Sequence, residues 1–97
     1  MDRIVIMARL HDAAPALCGK YGVKLPQVFG SVARGDNQDD SDVDIFTEFE
    51  GRPTFDNDMG LNCDLEELLG TRVDLLTPRS LTPALREVIE REAIRVS

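Results

Sequence analysis

Ninety-seven residues with 18 acidic and 11 basic side chains, a net charge of −7, fit one domain, residues 1–97, with a modest core. A chain this short buries about 60–70% of its unfolded surface, so any active site is expected to be open and built at the edge of a single sheet. Asp36, Asp39, Asp40, Asp42 and Asp44 crowd one stretch with no basic patch to offset them, which excludes a direct nucleic-acid surface and suits a cation or a basic protein partner.

Ile6, Leu10, Ala13, Ala14, Leu17 and Tyr21 recur at helical spacing and predict a helix over Arg3–Tyr21, ended by Gly22. Pro15 should kink it, or restart it with Asp12 as cap. The apolar run Ile4–Ala8 is too short for a signal peptide and gives way to Arg9, His11 and Asp12. No stretch approaches the ~20 apolar residues of a membrane span. A soluble cytoplasmic protein is expected.

Val23–Phe29 reads as a strand weakened by Pro26, which offers no ladder hydrogen bond. Gly30 and Ser31 turn the chain into a short helical turn at Val32–Arg34, and Gly35–Ser41 is a polar loop. Asp42–Phe49 is the clearest strand, with Val43, Ile45, Thr47 and Phe49 on one face and Asp42, Asp44, Phe46 and Glu48 on the other. After a loop at Gly51–Pro53, Leu61, Leu65, Leu68 and Leu69 mark an amphipathic helix closed by Gly70. Arg72–Leu76 is a strand ended by Pro78. Thr82 and Pro83 open a last helix whose inner face is Leu85, Val88 and Ile89, and whose outer face pairs Glu87 with Arg91. Ile94–Val96 closes the chain as an edge strand. The expected fold is α/β (α+β), a small mixed sheet flanked by helices. Cys18 and Cys63 fit no metal or redox spacing and read as reduced, largely buried thiols.

Three features carry chemistry. Gly30-Ser31 stands where a strand gives way to a helical turn, where bare backbone and free N–H groups can approach an anion. On its own this is usually just a turn. Asp42 and Asp44 lie two apart on one strand face, close enough to chelate a divalent ion. The bland alternative is a charged strand edge, but the apolar residues between and after them mark a buried strand, where two like charges need something positive between them. Asp74 sits inside the apolar run Val73–Leu76, with a salt bridge to Arg72 or Arg79 as the alternative reading. A phosphate-cradling turn and three carboxylates on two strands are the parts of two-metal phosphoryl transfer. His11, the one histidine, has no serine or cysteine partner and is assigned a surface or core role.

The string Phe29-Gly30-Ser31-Val32-Ala33-Arg34-Gly35, ten residues after Ser31, then Asp42-Val43-Asp44-Ile45, resembles the Gly-Ser…Asp-x-Asp signature of the DNA polymerase β-like nucleotidyltransferases and, within them, the minimal nucleotidyltransferase (MNT) family. The similarity continues through Arg72–Leu75 and the Pro83 helix. Pro15 and Pro26 are less typical of it. The resemblance implies a fold and a set of roles. Gly30 and Ser31 would hold the ATP triphosphate. Asp42 and Asp44 would bind two Mg²⁺, and Asp74 would complete the second site and assist deprotonation of the acceptor hydroxyl. Arg34 would reach a phosphate or, equally, pair with the acidic loop. It also implies a function, since such proteins accompany a HEPN-domain RNase toxin and transfer AMP to one of its tyrosines, acting as antitoxins.

A second reading is a non-catalytic antitoxin that masks its partner, with the aspartates structural. Asp-to-Asn variants separate the two. Transfer to a small molecule such as an aminoglycoside needs an acceptor domain this chain lacks, and terminal addition to RNA is disfavoured by the charge.

Overall fold

The structure, a computed structural model, describes residues 2–38, 42–52 and 54–96. The expected loop at 35–41 and the loop at 51–53 therefore lie partly outside the described residues. Helix α1 (Arg3–Tyr21) runs unbroken through Pro15. Asp2, not Asp12, caps it by accepting from the Ile4 amide, and Gly22 closes it in the left-handed region at φ 65°. Pro15 is exposed, so its ring and its missing N–H face solvent rather than the core.

Strand β1 is only Gln27–Phe29. Pro26 shortens it from the N-terminal side as its missing donor demands, while its carbonyl still accepts from the Val96 amide at 3.0 Å. The upstream part of the expected strand survives as a single bridge between Val23 and Phe49. The five-residue helix α2 (Gly30–Arg34) follows directly. Strand β2 (Val43–Phe46), helix α3 (Phe55–Leu69, capped by Thr54), strand β3 (Val73–Leu76), helix α4 (Pro83–Glu92, capped by Thr82) and strand β4 (Ile94–Arg95) complete the order. A 3₁₀ turn at Pro78–Ser80 was not anticipated. The sheet order is β3-β2-β1-β4. Strands β2 and β3 run parallel, as the intervening α3 requires, and β1 is antiparallel to both neighbours.

Strand alternation divides the two faces. Val28, Val43, Ile45 and Val73 point to a core closed by Ile6, Leu10 and Ala14 of α1 and Leu61, Leu65 and Leu69 of α3. Burying each such side chain contributes about 1.5–3 kcal/mol. The opposite face carries two cross-strand rows. Gln27, Phe46 and Leu76 are aligned in one, and Phe29, Asp44 and Asp74 in the other. Ile89 of α4 packs against Phe29 and Phe46, with Leu76, Leu81 and Val88 around them. Helix α4 thus covers the apolar row, and the carboxylate end of the other row is left accessible. Cys18 is half-buried and Cys63, contrary to the expected burial, is exposed on the outer side of α3; both are free thiols. No described helix is long and apolar enough to cross a membrane.

Candidate active site

The site is built where β1 turns into α2. Gly30 is buried and holds φ at 72°, a conformation that lets the chain leave the sheet in one residue. Its partner in the next strand is not far: a Cβ built on Gly30 would stand 2.1 Å from Oδ2 of Asp44 and 3.1 Å from its Cγ. The bare backbone of Gly30 and the carboxylate of Asp44 therefore face each other with no side chain between them. This contact follows from register, since Phe29 pairs with Asp44 across β1 and β2. We expect Gly30→Ala to lower stability by about 1–3 kcal/mol through the left-handed backbone alone, with further loss from displacing Asp44. Calorimetric melting of the variant measures it.

Asp74 is in register with Asp44 on the parallel neighbour, and adjacent strands lie about 4.8 Å apart. Asp42 precedes β2 by one residue, on the same side as Asp44. The Asp44 carboxyl is held above the usual carboxylate range, first by burial and then by the charges of Asp74 and Asp42, with Arg34 opposing. Asp74 and Asp42 thus both act on Asp44, and the charge of Arg34 works against them. Among the described residues no three such groups are already drawn in to metal-ligating separation. Asp42 instead forms an ion pair with Arg72, Oδ1 to Nε 3.3 Å, and Asp74 is exposed. The donor set is oxygen-only and anionic around a glycine cradle, which fits a hard divalent cation.

Ser31 is half-buried at the second position of α2. Arg34, in the last turn, directs Nε to Asp36 at 3.2 Å and Nη1 to Glu92 of α4 at 3.1 Å. Its guanidinium is half-exposed. The expected pairing with the acidic loop is present through Asp36. His11 is exposed on α1.

The sequence profile of the nucleotidyltransferase domain matches residues 11–96. The chain belongs to the nucleotidyltransferase family. Protein adenylyltransferase MntA of Thermococcus cleftensis is 42% identical to this nucleotidyltransferase over 77 residues, 79% of this chain and 78% of that one. A solved structure named as a candidate minimal nucleotidyltransferase superposes with a TM-score of 0.82 at 45% identity, covering 97% of this chain and 95% of the other. A Shewanella oneidensis complex of a tri-AMPylated HEPN toxin with its MNT antitoxin shares the fold, with a TM-score of 0.68 at 18% identity over 94% of this chain and 71% of that one. The mixed α/β architecture expected from the sequence is the minimal nucleotidyltransferase fold.

Two partners of this nucleotidyltransferase's site escaped the sequence reading. Arg72 was weighed, with Arg79, only as an alternative ion-pair partner of Asp74, two positions along on the same strand face. The parallel register that sets Val43 beside Val73 puts Arg72 next to Asp42 instead. Glu92 was given no role from the sequence. Its only signal is its spacing of three from the buried Ile89, which places both on the inner side of α4.

Proposed function

We propose that this nucleotidyltransferase moves AMP from ATP onto a hydroxyl of a protein partner, a tyrosine of a HEPN RNase toxin, and silences that partner by the modification. The observation that carries the reading is the alignment of Asp44 with Asp74 beside the open backbone of Gly30. It sets carboxylates from two rigid strands beside bare backbone, the donor set that would hold cations for a phosphate. The likeness to MntA and to the fold of a toxin-bound antitoxin supports the choice of donor and acceptor.

In this reading Gly30 admits the triphosphate and the Ser31 hydroxyl donates to it. Arg34 adds positive charge on the same side. Asp42, Asp44 and Asp74 hold two Mg²⁺, which supply the charge that offsets build-up on the α-phosphate and on departing pyrophosphate. Asp74 also takes the proton of the acceptor hydroxyl as that oxygen bonds to the α-phosphorus and the bond to pyrophosphate breaks. The open site suits an acceptor carried by another protein, and the net charge of −7 favours a basic docking surface on it. An AMP group near an RNase centre would repel RNA by charge as well as by bulk.

Co-expression with the HEPN partner followed by mass spectrometry tests this. The partner should gain the mass of AMP on tyrosine and stay inactive after the antitoxin is removed. The Asp42→Asn chain should leave it unmodified and active. A partner silenced equally well by Asp42→Asn, with no added mass, would establish masking in place of chemistry.

A further inference from the structure

The guanidinium of Arg34 is gripped from two elements that are distant in sequence. Asp36 reaches it from the loop just after α2, and Glu92 from the far end of α4. Glu92 is the more constrained of the two, with its side chain 23% exposed against 74% for Glu87 on the outer face of the same helix. A carboxylate at the last residue of a helix meets the negative end of the helix dipole, so its place there is unfavourable unless a cation answers it. Arg34 is that cation. One turn earlier, Ile89 is wedged against Phe29, the residue that leads into Gly30, and against Phe46. Helix α4 therefore touches the cradle twice, through an apolar contact under Phe29 and an ionic one to Arg34.

An arginine side chain gives up much rotamer freedom when it is held in one geometry. Left alone at a half-exposed position, its fork would sample many orientations, few of them facing a ligand at Gly30-Ser31. Two carboxylates, one on Nε and one on Nη1, hold the fork in one plane and leave the Nη2 hydrogens for a further acceptor. We infer that Glu92 is a positioning residue for nucleotide binding: by fixing Arg34 from α4 it presents the guanidinium to the triphosphate, making the last helix part of the ATP site. This rests on the reading above that Arg34 serves the triphosphate.

The test is the dissociation constant of the non-hydrolysable ATP analogue AMP-PNP with Mg²⁺, measured by calorimetry on Arg34→Ala, Glu92→Ala, Glu92→Gln and the Arg34→Ala/Glu92→Ala double variant, each with its melting temperature. Glu92→Ala should weaken binding about 5–10-fold, the size of one pre-organised contact. Glu92→Gln, which keeps an acceptor for Nη1, should recover most of that loss. In the Arg34→Ala background, Glu92→Ala should change affinity no further. If Glu92→Ala binds like the parent while Arg34→Ala is impaired, or if the two losses simply add, the inference is wrong and Glu92 only fastens two helices. If Arg34→Ala itself binds like the parent, the role given to Arg34 fails first and takes this one with it.

Discussion

Asp44→Asn should yield a chain that melts at or above the parent's temperature at neutral pH and transfers nucleotide at background rate. The two effects have one origin. Asp44 sits in register with Asp74, near Asp42 and half-buried against Gly30, and its carboxyl is held above the usual range by burial first and by those neighbours second. A group that holds its proton more tightly when folded makes the native state the better proton binder, so stability falls as pH rises through the carboxylate range. At neutral pH the parent bears the full penalty. The amide has the same shape and no charge, so it is free of that penalty. The stability gap between variant and parent should therefore close as the pH is lowered toward and below the ordinary carboxylate value of 3.8. Activity moves the other way, because the lost charge is the one nearest the cradle. Losing several kcal/mol of transition-state stabilisation corresponds to a rate lower by roughly 10³ or more. Melting curves across pH and a single-turnover transfer assay check both halves. A variant that melts well below the parent would make Asp44 a member of a structural ion pair instead.

That pairing of charge and position was largely legible in the sequence, and the reasons are physical. Period-two alternation at Val43, Ile45 and Thr47 sets which side Asp44 faces, and period 3.6 in the leucines of α3 sets the other wall of the core. Glycines at the ends of α1 and α3 and threonine caps on α3 and α4 mark boundaries that local chemistry alone decides. Pro15 is the instructive failure. Its cost depends on whether the lost hydrogen bond falls toward water or toward the core, and that is a tertiary fact. The ionic partners were hidden for the same reason. Which arginine meets Asp42 depends on the register of two parallel strands separated by a whole helix. The contact between Arg34 and Glu92 spans 58 positions and exists only because α4 lies across the sheet.

Mg²⁺ and ATP together should raise the melting temperature by about 10–20 °C, and each alone by much less. A ligand that binds only the folded chain stabilises it by RT ln(1 + [L]/Kd), about 2.7 kcal/mol at a hundredfold excess over Kd. A domain of this size gains about 4–8 °C for each kcal/mol. ATP alone brings a polyanion to three carboxylates, and the repulsion is opposed by Arg34 near Asp44 and Arg72 beside Asp42. The cation alone can use the carboxylates, but it must displace Arg72 from Asp42. That obstacle is small: the arginine is 80% exposed and the carboxylate 47%, and such surface pairs are worth about 0–1 kcal/mol. With both present, each supplies the charge the other lacks, and the coupling must be reciprocal. ATP should therefore tighten Mg²⁺ binding by the same factor that Mg²⁺ tightens ATP binding. Asp42→Asn removes one arm of the site and should erase most of the joint shift without lowering the melting temperature of the ligand-free chain. Superimposable melting curves for the parent with and without the pair, at millimolar concentrations of each, would rule out this cluster as the metal and nucleotide site.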